Sequence, residues 1–230
     1  MAQPVPVITI DGPSGSGKGT VARLLASRLG WHLLDSGALY RALALAAIDA
    51  QVSFDDAEAL AELAVALDLH FEDGAEQTRV TLGGRNVDAQ LREESTGEAA
   101  SQVARHPAVR TALHERQAAF ARPPGLVADG RDMGTVIFPA APYKFFLTAS
   151  AQARAQRRHK QLNDKGNSVS LAALAREIGE RDRRDSERST APLKPAADAV
   201  IIDSTALDID AVMAKLVAEL EAAGLSVPAM

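Results

Sequence analysis

A chain of 230 residues, 47% hydrophobic and 24% charged, has the balance of a globular protein and excludes disorder as its main state. It contains no cysteine, which excludes disulfides, thiol nucleophiles and thiolate metal sites, and no apolar run approaches the roughly 18 residues of a membrane-spanning helix. The net charge of -5 argues against a generally basic surface for nucleic-acid polymers, yet 19 of the 25 basic residues are arginine, which suits planar recognition of a small anion.

Val5–Asp11 is a short β-branched apolar run that predicts a buried strand. Met1–Ile10 lacks the basic and apolar regions of a secretory signal, so a cytoplasmic protein is expected. A glycine-rich turn leads into Lys18–Leu29, where Val21, Leu24, Leu25 and Leu29 fall at helical spacing. Trp31–Asp35 predicts a second strand, Tyr40–Ala50 an alanine- and leucine-rich helix, and Asp55–Leu67 another helix. Between His70 and Asp88 the β-prone pieces are short and broken by Asp73-Gly74 and Gly83-Gly84, which predict hairpin turns.

Helical spacing returns from Glu98, and Pro107 suits the start of a helix running to about Ala121. Leu126–Asp129 and Tyr143–Thr148 predict strands, the second leading into a helix over Ala151–Leu162. Asn163–Ser168 predicts a loop, Leu171–Ser186 a charged helix, Ala199–Asp203 a last strand and Asp208–Ala223 an amphipathic helix. Strands alternating with helices predict an α/β fold, a mostly parallel sheet covered on both faces, with the antiparallel stretch near 70–88 as an insertion.

The turn after the first strand reads Gly12, Pro13, Ser14, Gly15, Ser16, Gly17, Lys18, which matches G-x-x-x-x-G-K between a strand and a helix. In that context backbone N–H groups curl around phosphate oxygens, the helix start favours an anion, and Lys18 reaches the β- and γ-phosphates of a nucleotide. Gly19 stands where such loops carry Ser or Thr, and Thr20 follows one step later. A magnesium ion would then depend more on water and on a carboxylate. Asp129, at the end of a predicted strand, suits that role through water, although a capping role fits it equally on spacing alone. The five histidines at 32, 70, 106, 114 and 159 have no metal-ligand spacing.

The GKGT of the loop, Ile8-Thr-Ile-Asp-Gly-Pro-Ser-Gly15, Leu34-Asp-Ser-Gly-Ala-Leu-Tyr-Arg41, Ala128-Asp-Gly-Arg-Asp-Met-Gly134 and the arginine-rich Arg181–Arg188 together resemble cytidylate kinases of the bacterial type. The resemblance covers nearly the whole chain and places it among the P-loop nucleoside monophosphate kinases. It implies a three-layer parallel-sheet P-loop kinase core (1–35, 103–150 and 191–230), a CMP-binding domain with a small antiparallel insertion (36–102), and a short helical lid (151–190). It further implies that Ser36, Arg41, Arg131 and Arg188 hold the acceptor phosphate with Tyr40 close by. By the same resemblance Asp132, Arg110 and Ser101 are expected to read cytosine, and Arg181 and Asp185 to lie at the ribose hydroxyls. A carboxylate accepts from the cytosine amino group but repels the O4 of uracil, which explains a preference for CMP.

Residues 151–190 hold ten of the 25 basic residues and six of the 30 acidic ones, so this segment is positive in an acidic protein. Arg154, Arg157 and Arg158 share one helical face, and so do Arg181, Asp185 and Arg188. Arg157, Arg158, Arg181 and Arg188 are expected to serve the phosphates, and Arg176 and Arg183 to be structural. Arg184 fits either role.

The expected activity is transfer of the γ-phosphoryl group of ATP, with Mg2+, to the 5′-phosphate of CMP and of dCMP. Lys18, Arg131, Arg157, Arg158, Arg181 and Arg188 are the expected catalytic residues, in a monomer that needs no protein partner, polymer or membrane. Two alternatives stay open: a kinase of this fold for UMP, AMP or a hydroxylated metabolite, and a nucleotide-binding regulatory module without turnover.

Overall fold

The computed structural model describes residues 5–72, 79–164 and 169–228. The chain divides into two compact units, one made of residues 1–35 and 118–230, the other of residues 36–117.

The first unit is built on five parallel strands: β1 (Val7–Asp11), β2 (His32–Asp35), β6 (Leu126–Gly130), β7 (Tyr143–Thr148) and β8 (Val200–Asp203), in the order β2-β6-β1-β7-β8. Every residue of β1 and β6 is buried, which requires cover on both faces and explains why both are apolar but for Thr9, Asp11 and Asp129. Helices α1 (Lys18–Leu29) and α8 (Ile209–Ala222) pack together against the sheet, where Ile8, Ile10, Leu25, Val127, Leu147 and Leu216 form a fully buried core. At about 25 cal/mol per Å2 of apolar surface removed from water, burial of such side chains is the dominant stabilising term. Trp31 packs at the edge of this core, its indole lying directly on the backbone of Gly125. Helices α6 (Ala151–Asn163) and α7 (Leu171–Ser186) pack against each other, each opened by a serine cap: Ser150 accepts from the Ala153 N–H and Ser170 from the Ala173 N–H.

The second unit contains α2 (Ser36–Asp49), α3 (Ala57–Val65), β3 (Leu69–Glu72), β4 (Arg79–Leu82), β5 (Arg85–Asn86), α4 (Glu94–Val103) and α5 (Pro107–Ala118). The three strands form the antiparallel insertion that the sequence indicates, and Gly83 and Gly84, both at positive φ, make its β4–β5 turn. The turn expected at Asp73-Gly74 lies outside the described residues, as do residues 165–168 of the loop expected at Asn163–Ser168. Asn163 itself ends α6.

The structure moves two helix starts by four residues each and adds two short turns, one of them a 3-10 turn at Gln90–Arg92. Helix α2 begins at Ser36, directly after β2, four residues ahead of the expected Tyr40, and α4 begins at Glu94 rather than Glu98. A π-helical turn spans Met133–Ile137 immediately after β6. No helix among the described residues is long and apolar enough to cross a membrane.

Candidate active site

The phosphate loop leaves the C-terminal end of β1, where open parallel sheets place their ligands. Gly12 holds φ +152, and a Cβ there would meet the Leu147 carbonyl oxygen at 2.1 Å, so only glycine fits. Lys18 opens α1 and is 9% exposed. Its Nζ donates to the Pro13 carbonyl at 3.3 Å and stands 3.9 Å from Asp129 Oδ1 on β6. Burial lowers the Lys18 ammonium from its ordinary value, aided by the positive charge of Arg131 and opposed by Asp129. Burial likewise raises Asp129, opposed by Lys18 and reinforced by Asp35, its lateral neighbour on β2.

Two buried oxygens at this loop make no hydrogen bond, Ser16 Oγ and Asp129 Oδ1. Position 19 is explained by the same carboxylate: a Cβ on Gly19 would sit 3.0 Å from Asp129 Oδ2. The carboxylate thus approaches the loop through space that Ser or Thr would fill. Thr20 is exposed. The described residues contain no cluster of three metal-ligating side chains, and a single carboxylate beside phosphate oxygens is what magnesium ordinarily requires of a protein.

Arginines converge on the loop from other elements. Arg131, just after β6, donates from Nε to Asp185 Oδ2 at 3.0 Å, and Arg188 donates to Asp185 Oδ1. Asp185 is 1% exposed, and burial alone would raise its carboxyl; Arg131, Arg188 and Arg181 outweigh that and hold it below the usual carboxylate range. The same pairing raises Arg131, against the effect of its burial. Arg131 and Arg181 both lie near enough to Lys18 for their charges to lower it. Asp132, 3% exposed, follows Arg131 and stands at the start of the π-helical turn.

Arg157 has a different setting. Its guanidinium donates to the carbonyls of Ser204, Thr205 and Leu207 and to Ser204 Oγ, fastening the segment after β8. Ser204 Oγ in turn lies 3.0 Å from the carbonyls of Ser16 and Thr148. Arg158 is half-buried on the same helix, and Arg176 and Arg183 are exposed on α7.

In the second unit, Ser36 and Tyr40 are buried on α2, and the Arg110 guanidinium lies 5.6 Å from the centre of the Tyr40 ring, a cation–π contact. Arg110 Nη1 also donates to the Ala104 carbonyl at 3.3 Å, and Arg41 Nη1 to the Leu91 carbonyl at 2.6 Å. Ser101, on α4, is 4% exposed and its Oγ makes no hydrogen bond.

Sequence reasoning passed over Asp11 and Ser204 and gave Arg154 only a place on a helical face; all three are buried, and each fixes backbone at the phosphate loop or beside it. Asp11 had a visible signal, a charge closing an otherwise apolar strand; Ser204 had none.

The family model for cytidylate kinase matches residues 8–222 of this chain. The chain belongs to the cytidylate kinase family. It is 60% identical to the cytidylate kinase of Methylococcus capsulatus over 214 residues, which span 93% of this chain and 96% of that one. With the cytidylate kinase of Aeromonas hydrophila it shares 57% over 221 residues, 96% of each chain. With that of Stutzerimonas stutzeri it shares 58% over 222 residues, 95% of this chain and 96% of the relative. In a cytidylate kinase, a nucleotide-binding loop ringed by arginines has an evident use.

Proposed function

We infer that the chain transfers the γ-phosphoryl group of ATP to the 5′-phosphate of CMP, giving ADP and CDP. Among structural observations, the convergence of Lys18, Arg131 and Arg181 at the phosphate loop supports this most directly, because it gathers positive charge where phosphates meet. The acceptor phosphate is already an anionic nucleophile. The transfer therefore needs in-line positioning and charge neutralisation, with no covalent intermediate and no strong base.

Residues Gly12, Pro13, Ser14, Gly15, Ser16, Gly17, Lys18, Gly19 and Thr20 take the donor, with Lys18 on its terminal phosphates. Arg131 and Arg188 take the acceptor phosphate, each anchored by one oxygen of Asp185. Arg158 and Arg181 add charge to the transferring group, and Arg157 contributes by shaping the segment it binds. Ser36, Tyr40 and Arg41 complete the acceptor contacts, and Arg181 and Asp185 those to the ribose. The environment of Asp129, a buried carboxylate with one unsatisfied oxygen, suits magnesium held through water. That ion, arriving with ATP, would neutralise charge developing on the terminal phosphates.

Asp132, Arg110 and Ser101 read cytosine: the carboxylate accepts from the amino group, and the guanidinium and hydroxyl donate to N3 and O2. The unsatisfied Ser101 Oγ supports this assignment. dCMP is a second acceptor. We further propose that the chain acts as a monomer in the cytoplasm.

The test is a panel of CMP, dCMP, UMP and AMP with ATP, following ADP and the diphosphate product. CMP and dCMP are expected to be phosphorylated at least about 100-fold more efficiently than UMP. Equal use of UMP would remove the cytosine assignment, and ATP binding without any product would leave a regulatory module as the reading.

A further inference from the structure

We propose that Asp11 is a positioning residue for cytosine recognition, capping the turn that follows Asp132 in place of Asp132 itself. This rests on the assignment of Asp132 to cytosine made above.

The first N–H groups of any helical turn lack partners within it, and the residue at its start commonly supplies a side-chain oxygen to them. An aspartate there is among the best residues for that purpose. Asp132 occupies this position, with φ -142 and ψ 21, yet its side chain makes no capping bond. Its backbone carbonyl starts the turn, accepting from the N–H groups of Val136 at 2.8 Å and Ile137 at 3.2 Å. The capping bonds come from another strand. Asp11 Oδ1 accepts from the Met133 N–H and Oδ2 from the Gly134 N–H, each at 2.8 Å.

Asp11 closes β1, pairs laterally with Gly130 and Phe146, and is 3% exposed, so its carboxylate has little freedom. Thr9, two residues earlier on the same face of β1, presses against the turn as well: a Cβ on Gly134 would meet Thr9 Oγ1 at 2.8 Å. The end of β1 therefore sets the height and orientation of the turn. Asp132 is relieved of the task its position would ordinarily give it, and its carboxylate is directed by backbone that Asp11 holds. Because Gly12 follows immediately, one strand end fixes both the start of the phosphate loop and the segment that carries Arg131 and Asp132.

The test is the ratio of kcat/KM for CMP to that for UMP, which a general loss of folded enzyme or of ATP binding leaves unmoved. Asp11→Asn keeps the shape but offers only one acceptor oxygen to two N–H groups. It is expected to lower the ratio by about tenfold, as displacement of a recognition group does. Gly134→Ala displaces the same turn without altering Asp11 and is expected to lower the same ratio, which keeps the test open should Asp11→Asn fold poorly. In an Asp132→Ala background, Asp11→Asn should produce no further loss. If Asp132→Ala lowers the ratio and neither Asp11→Asn nor Gly134→Ala does, Asp11 has no such role and the reading of Asp132 stands. Losses that multiply in the double variant overturn the proposal too. An unchanged ratio in Asp132→Ala removes the reading of Asp132, and this proposal with it.

Discussion

Arg154 and Asp182 join α6 to α7 by a two-pronged ion pair, each terminal guanidinium nitrogen donating to one carboxylate oxygen. The same guanidinium reaches the Ser14 carbonyl at 3.0 Å and, through Nε, the Ala149 carbonyl at 3.0 Å. The helix bearing Arg181 and Asp185, with Arg188 just past its end, is thereby tied to the phosphate loop. Arg154 is 3% exposed, so Asp182→Ala strands a buried cation. Urea unfolding should show a loss of about 3 kcal/mol, and steady-state kinetics should show a raised KM for ATP. Unchanged stability would mean that water replaces the carboxylate.

Gly19→Ser restores the hydroxyl common in other phosphate loops, but its Cβ enters the space beside Asp129 Oδ2, 3.0 Å away. The carboxylate must turn aside. We expect kcat to fall about tenfold or more and the magnesium concentration for half-maximal rate to rise. A variant as active as the parent at low magnesium would show that Asp129 gives way without cost.

Asp185 supplies an acid-sensitive contribution. Its carboxyl lies below its unfolded value because Arg131, Arg188 and Arg181 surround it. Its stabilisation is therefore fully present above the unfolded value of about 3.9 and is lost as pH falls through the lower folded value. Asp185→Asn removes that contribution at neutral pH. The stability gap between parent and variant, measured in urea at several pH values, should be widest above pH 5 and shrink on acidification. A gap independent of pH would contradict the ionic role.

Asp11 behaves in the opposite sense. Burial raises its carboxyl from 3.8 to about 6, against the two N–H bonds that favour the charged form. Between those values the folded protein holds a proton that the unfolded chain has released, so this group's contribution to stability declines as pH rises through the window. Asp11→Asn has no such titration. Relative to the parent, its stability should improve from pH 4 to pH 7, by an amount on the order of 3 kcal/mol, as read from denaturant midpoints at each pH. A constant difference would place the carboxyl at its ordinary value.

Much of this fold was legible because its elements obey simple periodicities. Helices α1 and α7 and strand β7 run over the residues that their patterns indicate, and the glycine pair at 83–84 marks its hairpin. The π-helical turn at Met133–Ile137 was not legible, since it owes its shape to Asp11, over a hundred residues earlier. Among the site residues, the phosphate loop announces itself through local chemistry. Ser101, Arg110 and Asp132 are single residues whose meaning depends on tertiary neighbours, and family likeness rather than spacing points to them. Arg157 shows the limit of counting charge along a helix: it shares a face with Arg154 and Arg158, yet its guanidinium is engaged by carbonyls after β8.

The indole seated on Gly125 has a practical consequence. Trp31 is the chain's single tryptophan, and it belongs to the unit that carries the phosphate loop. Intrinsic emission excited at the red edge is therefore a label-free reporter of that unit alone, since residues 36–117 contribute no such chromophore. Compared with a far-ultraviolet signal, which averages over every helix, it separates the melting of the unit that carries the phosphate loop from that of the rest without any introduced dye.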